Sequence, residues 1–113
     1  MAATYVSNIT VNSGENFNQT FTLESADSSS PLNLTGYSVS SQMRKHAGSA
    51  TKTDFTAEAL TPLTDGRIMI SLTHTQTAVL KAGRYVYDIV IEKDSIKTRV
   101  LGGMVLVKQG VTR

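Results

Sequence analysis

The chain has 113 residues, 40% of them hydrophobic and 18% charged, which suits one compact domain over residues 1–113 with a core that needs no staple. With no cysteine, disulfide frameworks, thiol nucleophiles and cysteine-ligated zinc are excluded. The net charge of +2 is spread along the chain, with Arg44-Lys45 as its one adjacent basic pair, and no apolar run nears the ~20 residues of a membrane helix, so neither nucleic acid nor membrane is an expected partner.

In chain order, Met1–Thr4 reads as a flexible or partner-bound terminus without the basic and apolar regions of a secretory leader. Tyr5, Ser7, Ile9 and Val11 then share one face of a first strand, and Asn12–Asn16 is turn chemistry. A second strand sets Phe17, Phe21 and Leu23 against Asn18, Thr20, Thr22 and Glu24, before a polar loop over Ala26–Pro31. The third, Tyr37 to Arg44, alternates Tyr37, Val39, Ser41 and Met43 against Ser38, Ser40, Gln42 and Arg44, and Lys45–Thr53 reads as a loop. Phe55, Ala57 and Ala59 mark a weaker fourth strand, and Asp65-Gly66 a turn into the fifth, with Ile68, Ile70 and Leu72 inward.

Thr73–Ala82 predicts a short helical crossover, about residues 74–82, capped by Thr73 or Thr75 and stopped at Gly83. Arg84–Lys93 is the clearest strand, with Tyr85, Tyr87, Ile89 and Ile91 on one face. Asp94-Ser95 turns the chain, and the last strand runs from Ile96 to about Lys108 with a bulge or bend expected at Gly102-Gly103. About seven strands with turns between them predict an all-β, antiparallel immunoglobulin-like sandwich. A tyrosine just after the crossover suits a tyrosine corner, for which Tyr85 and Tyr87 are the candidates and Tyr85 is preferred.

Little in the chain suggests chemistry. His46 and His74 have no metal-ligand spacing, and no Gly-x-Ser-x-Gly elbow occurs. Asp88 and Glu92 fall on one strand face about 13 Å apart, too far for a glycosidase pair on one strand. The reading is therefore of a non-enzyme without catalytic residues, metal, cofactor or small-molecule substrate. The 12 Ser and 15 Thr, many placed opposite the apolar face as Thr20, Thr22, Ser38 and Ser40 are, predict polar outer faces with little charge.

Four strings carry a family likeness: Leu34–Lys45 (LTGYSVSSQMRK), Gly66–Leu72 (GRIMISL), Leu80–Ile91 (LKAGRYVYDIVI) and Lys97–Val107 (KTRVLGGMVLV), with a terminal Gly110-Val111-Thr112-Arg113. Over about residues 16–113 the chain resembles the small virion structural proteins of tailed phages, of cyanophage-type myoviruses in particular. It is similar also to the N-terminal sandwich domain of phage baseplate upper proteins. The resemblance implies an immunoglobulin-like building block of the particle, and it brings no catalytic or ligand-binding residue.

Baseplate upper proteins continue into further modules where this chain stops, which favours a peripheral or joining subunit of tail, baseplate or neck. Its expected partners are other virion proteins in a symmetric, multi-copy assembly, met through loops and strand edges. The interface candidates are Tyr5, Asn12, Asn16, Asp27, Ser29, Arg44, His46 and Arg113. The short N-terminal strand is a candidate donor to a neighbour's sheet. Two other roles suit a small sandwich: a capsid decoration protein, and a carbohydrate-binding module aiding host attachment, although the latter lacks tryptophan for a platform.

Overall fold

Period-two burial writes the strands. In β6 (Arg67–Leu72) Ile68, Ile70 and Leu72 are buried, with half-buried residues between them, and β7 (Gly83–Lys93) buries Tyr87, Ile89 and Ile91 in the same rhythm. The computed structural model describes residues 5–24 and 31–111. The remaining elements there are β1 (Tyr5–Val6), β2 (Ile9–Asn12), β3 (Phe17–Thr22), β4 (Ser38–Arg44), β5 (Lys52–Ala59), a single 3-10 turn (Leu63–Asp65), α1 (His74–Ala78) and β8 (Ile96–Lys108).

Strand order is β1-β8-β7-β4-β5-β6-β3, with β2 also on β8. The larger layer runs from β1 and β2 to β5 and the smaller from β5 to β3. Both include β5, because Ser41–Arg44 of β4 pair with Lys52–Phe55, and Thr56–Ala59 pair with β6. The strand thus passes from one layer to the other and closes that side of a nearly closed sandwich. The opposite side, between β2 and β3, carries no pairing among the described residues. Val11, Leu34, Ile68, Ile70, Ile89, Val100 and Val105 fill the interior with no exposed surface. At roughly 1.5–3 kcal/mol for each large apolar side chain, this interior is the main stabilising term.

Two features of the strands depart from the expected pattern. Every pairing is antiparallel except those of β1 and β2, which run parallel to β8: Tyr5 faces Leu101, and Ile9 faces Val105. The cause is topological. A tight turn sends β2 into β3 on the opposite layer, and since β3 and β8 run in opposite directions, β2 must run along β8.

The second departure concerns the bulge, which lies at Val100 and not at Gly102-Gly103. Ile89 faces Leu101 while Val90 faces Arg99, so Val100 is the extra residue. It allows both Val100 and Leu101, adjacent in sequence, to enter the core.

Gly102 and Gly103 instead sit in register opposite Asp88 and Tyr87. Gly103 has its own reason to be glycine: a Cβ there would collide with the carbonyl oxygen of Ser7 and stand 2.8 Å from its carbon. Ser7 and Asn8 interrupt the parallel ladder, and side chains repair the break. The Tyr87 hydroxyl donates to Ser7 O at 2.7 Å, and the Met104 N–H donates to Asn8 Oδ1 at 3.0 Å.

The helix is shorter than the sequence suggests. It ends at Ala78, with Val79 as its C-cap, and the Lys81 carbonyl turns to the Tyr85 hydroxyl. At the opposite end, Asp94 and Ser95 adopt φ of 53° and 66° between β7 and β8, the positive pair of a type I′ turn. Aspartate tolerates that region, but serine at the second position lacks the freedom of the glycine this turn prefers. The double change Asp94→Asn, Ser95→Gly is expected to raise stability by about 0.5–1 kcal/mol. Thermal denaturation would show it, and a lower midpoint would contradict the turn type.

Candidate functional site

Strand directions gather several loops at one end of the sandwich. There β2 turns into β3, β6 passes through α1 into β7, β4 leads into the 45–51 loop, and β8 ends. Thr73 opens α1 with a capping box: its hydroxyl accepts from Gln76 N–H, and its own N–H donates to Gln76 Oε1 at 2.8 Å. Thr77, one helical turn on, is fully buried. Its hydroxyl accepts from Gly14 N–H at 3.0 Å and donates to Glu15 O at 2.8 Å. Ser13 Oγ donates to Thr77 O, and the His74 N–H donates to Asn16 Oδ1 at 2.7 Å. The 13–16 turn is therefore bolted to the helix.

Beside it, the Tyr85 hydroxyl donates to Lys81 O at 2.8 Å, the geometry of a tyrosine corner. Lys45 Nζ sits 4.8 Å above the Tyr85 ring. Arg44 holds the adjoining loop by donating to Ser49 O at 2.5 Å and to Gln42 Oε1 at 3.0 Å. A depression of about 740 Å³ lies at this end, lined by Gly14, His74, Val79, Lys81 and Gln109 among others. Val79 is 80% exposed on its rim.

The second candidate surface is the outer face of β4, β7 and β8. Register sets its rows: Arg44, Val86 and Met104 lie side by side, and Gln42, Asp88, Gly102 and Val6 form the next row. A depression of about 610 Å³ lies on this face, lined by Gln42, Arg44, Val86, Asp88 and Gly102 among others. Arg99 bridges part of it through an ion pair to Asp88 at 2.9 Å. Met104 and Leu106 are 46% and 39% exposed, and Val6 is 83% exposed. This face is more apolar than the Ser/Thr pattern predicts, whereas Thr20, Thr22, Ser38 and Ser40 do face outward and are exposed.

Of the residues singled out in the sequence, Asn12, Asn16, Arg44 and His46 come together at the tyrosine-corner end. Asn16 and Arg44 spend their side chains on the internal bonds just described, while His46 is exposed and Asn12 reaches Glu15 Oε1 at 3.5 Å. Tyr5 pairs with Leu101 through its backbone. Asp27, Ser29 and Arg113, with residues 1–4, lie outside the described residues. The N-terminal strand expected as a donor is taken up by the chain's own β8, and its hinge is the bolted 13–16 turn. Among the described residues no three His, Asp or Glu side chains converge to hold a metal ion, and no helix is long and apolar enough to cross a membrane.

Tyr87 is buried, and that burial pushes its phenol up to about 12, against the opposing pull of its hydrogen bond to Ser7. The protonated phenol is the form the fold favours. Its contribution to stability is complete below the unfolded value near ~10 and is lost as pH rises through about 12. Ultraviolet titration of wild type against Tyr87→Phe is expected to show one phenol ionising late. A wild type whose tyrosines all titrate near ~10 would contradict this.

No protein-family model matches the chain, and no curated protein matches it in sequence. Solved structures do resemble it. It is similar to the N-terminal domain of phage TP901-1 ORF48 at 8% identity and a TM-score of 0.53, with 94% of this chain laid over 98% of that one. It is similar also to InlP of Listeria monocytogenes, at 11% identity and a TM-score of 0.51. There 95% of this chain covers 28% of the other, so it spans little more than a quarter of that protein. At such identities the likeness is one of fold: this sandwich is an architecture found also in a phage protein domain.

Proposed function

We propose that the chain is a non-enzymatic structural subunit of a tailed-phage particle, built into the tail, baseplate or neck through protein–protein contacts. One observation carries the reading: the fold matches the N-terminal domain of phage TP901-1 ORF48 over nearly the whole of both chains. The surfaces support it. Exposed Val79, Met104 and Leu106 line shallow depressions and Val6 stands exposed on β1, a surface suited to protein partners more than to a small substrate. Its place is the virion, and its partners are other particle proteins.

Deleting the gene and analysing purified particles by mass spectrometry and electron microscopy tests this. The expected outcome is loss of this chain from wild-type particle composition together with a tail, baseplate or neck defect. Particles that never contain the chain would overturn the reading, while hundreds of copies on the head would move the subunit to the capsid.

A further inference from the structure

We infer that the free edge of β3 pairs antiparallel with the same edge of a second copy of this chain, across a two-fold axis at Thr20. Among the described residues β3 pairs with β6 alone, from Phe17 facing Leu72 to Thr22 facing Arg67. Leu23 continues that register, and its N–H donates to the oxygen of its partner Gly66 at 2.8 Å. Bonded and non-bonded pairs alternate along an antiparallel ladder. Phe21, Gln19 and Phe17 therefore direct their backbone groups to β6. Asn18, Thr20 and Thr22 direct theirs to the open side, and all three are exposed.

Those three positions define the register of a symmetric partner. An axis at Thr20 places Thr20 opposite its own copy and Asn18 opposite Thr22. Every free N–H and C=O then finds a mate, and about six backbone hydrogen bonds cross the axis. Side chains remain matched by face, since Gln19 meets Phe21 on the inner side and the Thr20 pair meets outside.

Charge selects a second copy as the occupant. A two-fold strand pair sets residues against themselves or their close neighbours, so a charged edge would oppose like charges. β3 reads Phe-Asn-Gln-Thr-Phe-Thr, with none. The other edges carry the devices that discourage pairing. β5 holds Lys52, Asp54 and Glu58, and the β1–β2 edge is broken at Ser7-Asn8. Pairing of this kind needs only the strand register, whichever assembly the chain serves.

Sedimentation velocity over a concentration series, with Thr20→Cys and Thr20→Lys variants, tests it. The wild type is expected to double its mass as concentration rises. Thr20→Lys, which sets two ammonium groups face to face, is expected to raise the dissociation constant about tenfold or more with unchanged circular dichroism. In a bonded antiparallel pair the Cα atoms lie about 5.5 Å apart, within disulfide reach, so Thr20→Cys is expected to oxidise to a covalent dimer. The wild-type chain has no cysteine to compete. Thr56→Cys, exposed on β5, is the control. A wild type monomeric at every concentration, or Thr20→Cys cross-linking no faster than Thr56→Cys, overturns the inference.

Discussion

Replacing Gly103 by alanine is expected to lower stability by about 3 kcal/mol and the melting point by roughly 12 °C. The cost comes from one atom. A Cβ at this position would collide with the Ser7 carbonyl, and the obstacle is backbone that cannot swing aside as a flexible side chain would. That carbonyl is also the acceptor of the Tyr87 hydroxyl, so moving it strips a buried phenol of its partner. The N-terminal strand is expected to lift from β8 before the rest of the fold yields. Hydrogen exchange would report this as faster exchange of the Ile9 and Val11 amides at temperatures where β7 remains protected. Gly102→Ala supplies the internal comparison, because its Cβ would meet nothing closer than 3.4 Å. If the two alanines cost the same, close approach of Ser7 is not why position 103 is glycine.

Thr77→Val is expected to cost about 2–3 kcal/mol although it preserves shape and burial. The hydroxyl stands between the Gly14 N–H and the Glu15 carbonyl, and valine leaves both without their partner. Thr77→Ser retains the hydroxyl and loses one methyl, for about 1 kcal/mol. Urea denaturation of the two variants separates hydrogen bonding from packing. Valine costing no more than serine would mean that the 13–16 turn stays docked without this bolt.

The two variants also mark where the sequence is legible and where it is not. Tyr85, Tyr87, Ile89 and Ile91 fall at every second position, with Arg84, Asp88 and Glu92 among the residues that alternate with them, and Ile68, Ile70 and Leu72 alternate with Arg67, Met69 and Ser71. These strands and their inward faces can be read by eye, as can the crossover before Tyr85. Met104-Val105-Leu106-Val107 offers no alternation, so nothing local says that Met104 and Leu106 face outward and lend the outer surface its apolar character. The bulge hides in the adjacent pair Val100-Leu101, where a period-two reading must put one of them outside. Parallel pairing of β2 with β8 joins opposite ends of the chain and leaves no trace in any window of sequence. Thr77 sits in His-Thr-Gln-Thr-Ala, a polar string whose single buried member is recognised only once the 13–16 turn is placed against it.

The candidate surfaces are legible in part for the same reason. Asn12 and Asn16 bound one turn, Arg44 and His46 lie at a separate loop, and only their polar character marks them in the sequence. Only strand direction brings those turns to one end, and only the hydrogen bonds show that Asn16 and Arg44 serve the fold itself. Val79 carries no such signal, because an apolar residue inside an expected 74–82 crossover reads as core, whereas the helix ends one residue before it.

The parallel junction of β1 and β2 with β8 governs how the molecule bears tension. Tyr5 lies beside Leu101 and Asn12 beside Lys108, so the first strand enters at one end of the junction and the last strand leaves at the other. A pull applied between the two termini therefore loads the junction in shear, straining its hydrogen bonds together. A hairpin peeled from its open end would lose them one by one. A domain tethered at both ends would hold until the whole seam slipped.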